Sequence, residues 1–342
     1  MGRRKSGLLG RIIYGLNILA ALLLLLAYLV PYIPPSGFPS ISLIGLAVSP
    51  LIVINLLFFL YWLVGMRRQM VLSGVFLALG FFLFGPLYQF GSNTEMALDG
   101  PHLTIMSYNV RLFNAYEEER GDQVDHLLND LINTHQPDVI CIQEFYKDHP
   151  VDFSQYPHQF VHFREGSALG YAIFSKYPLY NQGSFDFQGT GNNSIYADLL
   201  TGSDTLRLYN LHLQSLGILP TVDYLQNNDT ESTRRRMVAG FVKQQEQLEQ
   251  ILGHMEASSH PILVGADLNN TPYSYVYRLL NKTLIDGFRE EGRGLGTTFK
   301  FDSYPLRIDY LFADSNLKFL EFQTVDQTFS DHYPVIATLK LP

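Results

Sequence analysis

The chain has 342 residues, of which 47% are hydrophobic and 16% charged, and its formal net charge is −8 at pH 7. This length allows two domains, and the single cysteine excludes an intramolecular disulfide. Residues 1–92 contain six basic residues and no acidic residue, so the composition changes sharply after about residue 92. All 32 acidic residues follow that point, which excludes a uniformly basic, polyanion-binding surface there.

The N-terminal third contains three apolar segments, each near the ~20 residues that a helix needs to cross a bilayer. These segments cover residues 12–33, 41–65 and 69–90. A cleavable signal peptide is the alternative for the first segment. The two further apolar segments and the lack of a small-residue cleavage site disfavour that alternative. The pattern therefore predicts a membrane anchor of three transmembrane helices over residues 1–92.

The basic residues of this anchor predict its orientation. Four of them precede the first apolar segment and two follow the second: Arg3, Arg4, Lys5, Arg11, Arg67 and Arg68. Positively charged loops stay in the cytoplasm, so the N terminus and the second turn are expected there. Three crossings would leave residue 93 onward outside the cytoplasm.

The remainder is predicted to be a polar linker over residues 93–102 and one domain over residues 103–342. Residues 93–342 carry a net charge of −14 with histidine neutral. Such a surface repels polyanions at long range, which disfavours tight binding to duplex nucleic acid.

The domain alternates apolar and polar residues over many short stretches, which is typical of strands. Strands are predicted at 103–109, 137–144, 159–163, 170–175, 194–200, 205–213, 262–266, 307–312, 317–325 and 333–341. Helices are predicted at about 120–135, 233–256 and 274–280, and a loop at 217–233. Many strands with few, long helices indicate two packed sheets covered by helices.

One strand end stands out chemically. An apolar run over 262–264 is followed by Asp267 and Asn269, whose side chains point to the same side of an extended segment. A carboxylate can accept a proton or hold a metal, and a carboxamide can orient a group by hydrogen bonding. This pair suits activation of a water beside a phosphate, although both residues are also ordinary turn formers.

Other predicted strands also end in acids, amides or imidazoles. These residues are Asn109, Glu144, His212, Asp309, Asp331 and His332. Each has a simple structural explanation alone, such as a turn cap, a solvated strand end or a buried histidine. Their repetition at strand ends favours a single site at a common rim.

Six short motifs carry these residues in a fixed order. They are Ser107-Tyr108-Asn109, Ile142-Gln143-Glu144, Asn210-Leu211-His212, Asp267-Leu268-Asn269, Arg307-Ile308-Asp309 and Ser330-Asp331-His332. Their order resembles that of the endonuclease/exonuclease/phosphatase superfamily over residues 103–341, and especially its membrane-anchored bacterial members. Ala266 stands where a glycine is usual and Leu268 replaces a phenylalanine, but neither position has a polar role.

The resemblance implies a four-layer α/β sandwich that hydrolyses phosphoesters with Mg²⁺, for which Mn²⁺ is a possible substitute. It implies that Glu144 is the main metal ligand, with Asn109 and Asp331. The implied catalytic residues are His212, Asp267, Asn269, Asp309 and His332, and substrate contacts are expected from Asn193 and Arg236. The expected location is the inner or plasma membrane of a bacterium, with an extracytoplasmic catalytic domain.

The resemblance leaves the substrate open among lipid headgroups, nucleic acids and small phosphate esters. It implies no protein partner. A membrane-tethered binding module that keeps the fold without catalysis is one alternative. An endonuclease acting on DNA is another, which the apolar segments and the acidic surface disfavour.

Overall fold

The computed structural model describes residues 7–91, 100–117, 124–149, 151–202, 204–302 and 304–341. Arg3, Arg4, Lys5 and most of the predicted linker at 93–102 lie outside the described residues. The α-helices are α1 (Leu8–Leu29), α2 (Ser42–Gly45), α3 (Val48–Val64), α4 (Met70–Phe84), α5 (Val124–His135), α6 (Val222–Asn227), α7 (Thr230–Glu256), α8 (Tyr275–Asn281) and α9 (Gly287–Glu291). The strands are β1 (His102–Asn109), β2 (Val139–Tyr146), β3 (His158–Phe163), β4 (Leu169–Ser175), β5 (Leu179–Ser184), β6 (Ile195–Thr201), β7 (Asp204–His212), β8 (Ile262–Asp267), β9 (Ile285–Asp286), β10 (Phe299–Phe301), β11 (Tyr304–Leu306), β12 (Asp309–Ala313), β13 (Lys318–Thr324) and β14 (Val335–Lys340).

Helices α1–α4 form a helical unit that has a buried polar cluster and an apolar exterior. The Asn17 side chain donates to Ser73 Oγ at 2.6 Å and accepts from Trp62 Nε1 at 3.0 Å. Ser73 Oγ in turn donates to Asn55 Oδ1 at 3.2 Å. Large apolar side chains point outward, as at Phe82, which is 83% exposed. Interhelical polar bonds beneath an apolar exterior are typical of helices packed in a membrane.

The prediction of three transmembrane helices is corrected by the lengths of these helices. In the described part of the chain, one helix is long and apolar enough to cross a membrane, the 25-residue stretch Leu8–Tyr32. A second span requires Pro39–Gly45 and Val48–Val64, which are bent by 50°, to count as one. Helix α4 has 15 residues, or about 22 Å at 1.5 Å per residue, against a hydrocarbon core of about 30 Å. It ends because Gly85, with φ +78°, takes a left-handed conformation that favours glycine.

The rest of the chain contains two six-stranded mixed sheets. Their strand orders are β13-β14-β1-β2-β4-β3 in the first sheet and β5-β6-β7-β8-β12-β9 in the second, with β10 and β11 in a separate hairpin. A large apolar core lies between the sheets and includes Ile105, Cys141, Leu208 and Leu311. Helix α5 packs on the outer face of the first sheet, and α7 and α8 on that of the second. The predicted α/β sandwich is therefore confirmed.

The region 217–233, predicted as a loop, contains helix α6 and the beginning of α7. The prediction was wrong because polar residues here act as helix caps. Thr221 accepts a hydrogen bond from Tyr224 N at 3.2 Å, and Asp229 accepts one from Ser232 N at 2.7 Å. Such caps satisfy the free N–H groups of a first helical turn.

The pairing of the strands explains why their polar ends meet. β1 runs parallel to β2, and β7 runs parallel to β8, so the carboxyl ends of each pair lie at one edge. β12 is antiparallel to β8 and begins there, in a register that pairs Asp309 with Asp267. Gly265 lets the two sheets approach closely at this end, because a Cβ there would lie 3.0 Å from Ser107 Oγ and 3.1 Å from Cys141 Cβ.

A buried ion pair stabilises the second sheet beside this edge. Arg307 donates to Asp286 Oδ2 at 2.7 Å, and Tyr277 donates to the same oxygen at 2.7 Å. Removing one partner of a buried pair leaves an uncompensated charge, which typically costs about 3–5 kcal/mol. We expect Asp286→Ala to lower the melting temperature clearly, whereas Glu231→Ala, at an exposed pair with Arg234, should leave it nearly unchanged. Equal thermal unfolding of the two variants in detergent would contradict this expectation.

Candidate active site

Asp267 is the centre of the polar cluster at the common rim. Its carboxylate is fully buried at the end of β8. Oδ1 accepts from Asn269 N at 2.8 Å, and Oδ2 accepts from Asn109 Nδ2 at 2.9 Å. The same Oδ2 lies 3.6 Å from His212 Nε2 and 3.8 Å from His332 Nε2. Residues from the ends of β1, β7 and β8 and from the segment before β14 therefore meet at a single carboxylate.

Asp309 and His332 form a buried acid–imidazole pair. Nδ1 of His332 lies 3.0 Å from both carboxylate oxygens of Asp309, which leaves Nε2 directed toward Asp267. Burial alone lowers the pKa of His332, but the Asp309 and Asp267 carboxylates outweigh it and raise this pKa to about 10. Thr298 Oγ1 accepts from Asp309 N at 3.0 Å and thereby fixes the strand that carries the carboxylate. The pair presents an imidazolium N–H to the centre of the site.

Glu144 lies at an irregularity in β2, where the pairing with β4 shifts between Ile142 and Phe145. Its φ of +53° lies in the left-handed region that non-glycine residues avoid, at a cost of about 1–3 kcal/mol. This conformation turns the carboxylate to within 3.4 Å of Asn109 Nδ2 and 3.8 Å of His212 Nε2. Burial raises the pKa of Glu144, and the imidazolium of His332 opposes that rise.

His212 is held as a neutral imidazole. Burial, and then the charge of His332, lower its pKa to about 3. Asn192 Nδ2 lies 2.9 Å from Nε2, and Tyr171 Oη lies 3.3 Å from Nδ1. Because the Asn192 amide nitrogen is a donor, Nε2 must accept and Nδ1 must carry the proton. The two histidines of the rim therefore differ in charge and in role.

The donor set of the rim fits a hard divalent cation. Among the described residues, Glu144, Asp267, Asp309 and Asp331 bring carboxylates to this rim, where His332 is the buried cation. Buried carboxylates in excess of cations are costly unless they take up protons or a further positive charge binds. Carboxylate oxygens are the ligands that Mg²⁺ and Mn²⁺ prefer. Ligand atoms of Asp267, Asp309 and His332 lie within 4.8 Å of one another and form a second possible cation site.

Asn109, predicted as a metal ligand, points its amide nitrogen toward the carboxylates. Its Oδ1 accepts from Arg111 N at 3.0 Å, which fixes the orientation of the amide. In this orientation Asn109 donates to Asp267 and Glu144. Ligation through Oδ1 requires the amide to turn and to give up the Arg111 bond. Asp331 lies nearby, with Oδ2 3.7 Å from Arg111 Nε.

The remaining predicted residues differ in how closely they approach the cluster. Asn269 follows Asp267, has φ +49°, and donates through Nδ2 to Leu213 O at 3.1 Å. Asn193 is fully buried and bonds Ser184 and Asp186 with its amide. Arg236 donates to Gly217 O, on the loop after β7, at 2.7 Å and to Tyr224 Oη, on α6, at 2.8 Å. The roles of all three stay predictions.

Several residues that the sequence did not single out support the site. Asn192 and Tyr171 orient His212, while Ser330 Oγ donates to Asn109 O at 2.9 Å and accepts from His332 N at 3.1 Å. Gln143 joins the sheets beneath the rim by donating to Ser107 Oγ and Asn210 Oδ1. Ser330 and Gln143 lie inside two of the six sequence motifs, each beside a predicted site residue. That position was the sequence signal that could have identified them.

Two mixed sheets flanked by helices, with a buried acid, amide and imidazole cluster at one rim, define an α/β sandwich of the phosphoester hydrolase class. The chain belongs to the Endonuclease/Exonuclease/phosphatase family, whose model matches residues 106–332. Residues 10–87 match a second family, described as Domain of unknown function (DUF8431). Membership in the first family supports hydrolysis of phosphoesters in general, in most members with a divalent metal.

Solved structures of low sequence identity show the same fold. An endonuclease/exonuclease/phosphatase from Bacteroides vulgatus is 16% identical, with a TM-score of 0.52, and the match covers 71% of this chain and 100% of that chain. The human Nocturnin catalytic domain with bound sulfate anion is also 16% identical, with a TM-score of 0.52 and coverage of 71% and 96%. None of the curated proteins matches the chain.

Proposed function

We propose that the chain is a membrane-associated phosphoester hydrolase that depends on Mg²⁺, or on Mn²⁺ as a substitute, and acts outside the cytoplasm. One observation carries the catalytic part. Buried Asp267, Asp309 and His332 meet within 4.8 Å at the rim of a fold whose family typically hydrolyses phosphoesters. Perturbed titratable groups clustered at one rim are typical of catalytic sites.

The side chains suggest a division of roles. The imidazolium of His332, oriented by Asp309, would donate through Nε2 to a phosphoryl oxygen and stabilise the negative charge that develops on it. Asp267 would accept a proton from the attacking water, or orient that water. Asn269 would bind a phosphoryl oxygen. His212 would contact the phosphate from the opposite side only in the tautomer that carries its proton on Nε2, which requires the Asn192 bond to be given up. Positioning and charge neutralisation supply most of the catalysis in phosphoryl transfer.

Glu144 would be the main ligand of the cation, with Asp331 and, after rotation of its amide, Asn109. When bound, the cation would neutralise phosphate charge and make a bound water more acidic. Asp267, Asp309 and His332 are the alternative ligand set. The existing Asp309 bond to Nδ1 of His332 disfavours that set, because a ligating carboxylate would have to weaken this bond.

The arrangement of the helical unit supports membrane association and an outward-facing catalytic domain. Tyr28 near the end of α1, Val48 at the start of α3 and Phe84 at the end of α4 pack in one cluster with Tyr273 of the catalytic domain. Arg11 lies near the start of α1, at the end of this helix away from that cluster. A basic residue at the end away from the catalytic domain fits the positive-inside rule.

We expect a reporter enzyme fused after Pro342 to be active only if it functions outside the cytoplasm. A fusion made instead before Met1 should show the reverse pattern, because the basic N terminus precedes the long apolar helix Leu8–Tyr32 and is assigned to the cytoplasm. The two fusions are compared with one periplasmic and one cytoplasmic reporter each. Cytoplasmic activity from the Pro342 fusion would contradict the proposed orientation.

The proposed reaction is tested by a hydrolysis screen with the full chain in lipid nanodiscs, with and without Mg²⁺. The substrate classes are phospholipids, nucleic acids, inositol phosphates and chromogenic phosphodiesters. Metal-dependent release of product from at least one class is the expected result. Binding without turnover across all classes would instead support a non-catalytic binding module.

A further inference from the structure

Three loops at the rim of the second sheet dock on the helical unit. Leu216, after β7, packs with Leu43 and Leu46. After β8, the carbonyl oxygen of Tyr273 approaches Gly45 so closely that a Cβ atom on Gly45 would lie 3.2 Å from it. Before β12, Gly294 and Gln89 exchange two backbone hydrogen bonds of 2.8 Å. The end of the helical unit therefore lies directly beside the catalytic rim.

A cavity of about 220 Å³ lies between the helical unit and the catalytic domain. Its walls are mostly apolar and come from both sides, as with Val53 and Phe84 of the helices and Leu295 of the catalytic domain. The volume exceeds the ~150 Å³ of an engineered apolar cavity that binds benzene. The cavity is therefore large enough for several methylene groups.

Two residues of the cavity lining lie close in sequence to proposed catalytic residues. Thr271 lines it and follows Asn269 by two residues, and Arg307 lines it and precedes Asp309 by two residues. Thr271 is buried, and among the described residues its Oγ1 has no hydrogen-bond partner. A buried hydroxyl without a partner is costly, but this oxygen is inaccessible and therefore does not face the cavity.

Two of the lining residues are exposed on the outside of the molecule. Val53 is 47% exposed on α3, and Leu295 is 44% exposed on the loop before β12. Val53 belongs to the apolar exterior of the helical unit, where neighbouring Ile54 and Leu57 also point outward. An apolar chain lying along this exterior could therefore reach the cavity without crossing a polar surface.

We propose that this cavity holds the first methylene groups of the apolar tail of an amphiphilic phosphoester, and that the substrate is accordingly a lipid. The proposal rests on the proposed hydrolase function and specifies its substrate class. The apolar walls would bind the tail, and the phosphate would extend toward Asp267 and His332. Inositol phosphates offer no apolar group that fits these walls.

The test uses alkyl p-nitrophenyl phosphates with methyl, butyl and hexyl chains, hydrolysed by the full chain in nanodiscs. Water adds to phosphorus, the bond to the aryl oxygen breaks, and p-nitrophenolate, alkyl phosphate and a proton are released. Each buried methylene should raise kcat/KM about fourfold. Leu295→Trp fills the cavity, while Leu225→Trp makes the same change on α6, at a residue 40% exposed and outside the cavity lining.

We expect Leu295→Trp to lose at least tenfold more in kcat/KM for the hexyl ester than for the methyl ester. Leu225→Trp should keep the wild-type dependence on chain length. Because the esters partition into the membrane equally for both variants, a difference in kcat/KM between the variants reports on the cavity. If Leu295→Trp does not fold, Val53→Phe replaces it as the cavity variant. Unchanged chain-length dependence in both cavity variants would overturn the tail site while leaving the hydrolase function intact.

A second measurement does not depend on turnover. A decyl phosphate carrying a diazirine should label peptides containing Val53 and Leu295 on irradiation, and Leu295→Trp should abolish this labelling. If no ester were hydrolysed but this labelling occurred, the tail site would stand and the proposed catalysis would fail. Labelling spread evenly over the outer faces of α1 and α4 would overturn the tail site.

Discussion

His332→Ala is expected to lower kcat by roughly 10²–10³, the usual cost of removing one preorganised donor to a developing negative charge. The reason is the geometry of the pair: Nδ1 is held 3.0 Å from Asp309, and Nε2 points to Asp267 at 3.8 Å. The carboxylates keep the imidazole protonated by raising its pKa to about 10. The charge acts mainly in the transition state, so KM should change much less than kcat.

Asp309→Asn should be milder than His332→Ala, and the double variant should be no slower than His332→Ala alone. Residues that act as a unit give non-additive losses. The measurement is a double-mutant cycle on kcat with any substrate that the screen identifies, with circular dichroism to confirm folding. Additive losses would contradict the pair, and wild-type turnover in His332→Ala would remove this residue from the mechanism.

Glu144→Gln is expected to reduce activity at low Mg²⁺ by roughly 10²-fold or more, since even changes to the partners of metal ligands cost 10–100-fold. The substitution keeps the size of the side chain but removes the negative charge that would hold the cation. The backbone strain at φ +53° is unchanged, so folding should persist. Excess Mn²⁺ should restore part of the activity. Glu231→Gln, on the exposed start of α7, is the matched control and should behave like wild type.

The comparison with Asp267→Asn separates the two possible cation sites. If Glu144 is the main ligand, Glu144→Gln should raise the Mg²⁺ concentration at half-maximal rate, whereas Asp267→Asn should lower kcat with little change in that concentration. A large shift in Asp267→Asn alone would favour the Asp267, Asp309 and His332 set. Wild-type rates for Glu144→Gln at low Mg²⁺ would contradict the Glu144 assignment.

The strand ends could be predicted from the sequence because apolar alternation locates a strand and its last polar residue marks the rim. This worked for Asn109, Glu144 and Asp309, whose strands end or begin within two residues of the side chain. The conformations of those side chains could not be predicted in the same way. The orientation of the Asn109 amide depends on Arg111 N, and the protonation of His212 depends on Asn192, which arrives on a loop 20 residues away.

In the helical unit, the positions of the helices could be predicted from the sequence, but their lengths and packing could not. Apolar composition located its helices, but composition does not report bends or ends. The 50° bend before α3 and the left-handed Gly85 after α4 reduce the three predicted spans to one, or to two with the bent pair. Docking of this unit on loops of the catalytic rim depends on contacts between residues more than 200 positions apart, such as Gln89 with Gly294, for which the sequence contains no periodic pattern.

The central claim is that the rim around Asp267 hydrolyses phosphoesters with a divalent cation. The most direct measurement is the rate of p-nitrophenolate release from methyl p-nitrophenyl phosphate by the full chain in nanodiscs, after removal of metal by EDTA and on titration with Mg²⁺. We predict no release above background without metal, a saturable rise with Mg²⁺, and loss of that rise in His332→Ala. Release that is equal with and without metal, or equal in wild type and His332→Ala, would contradict the claim.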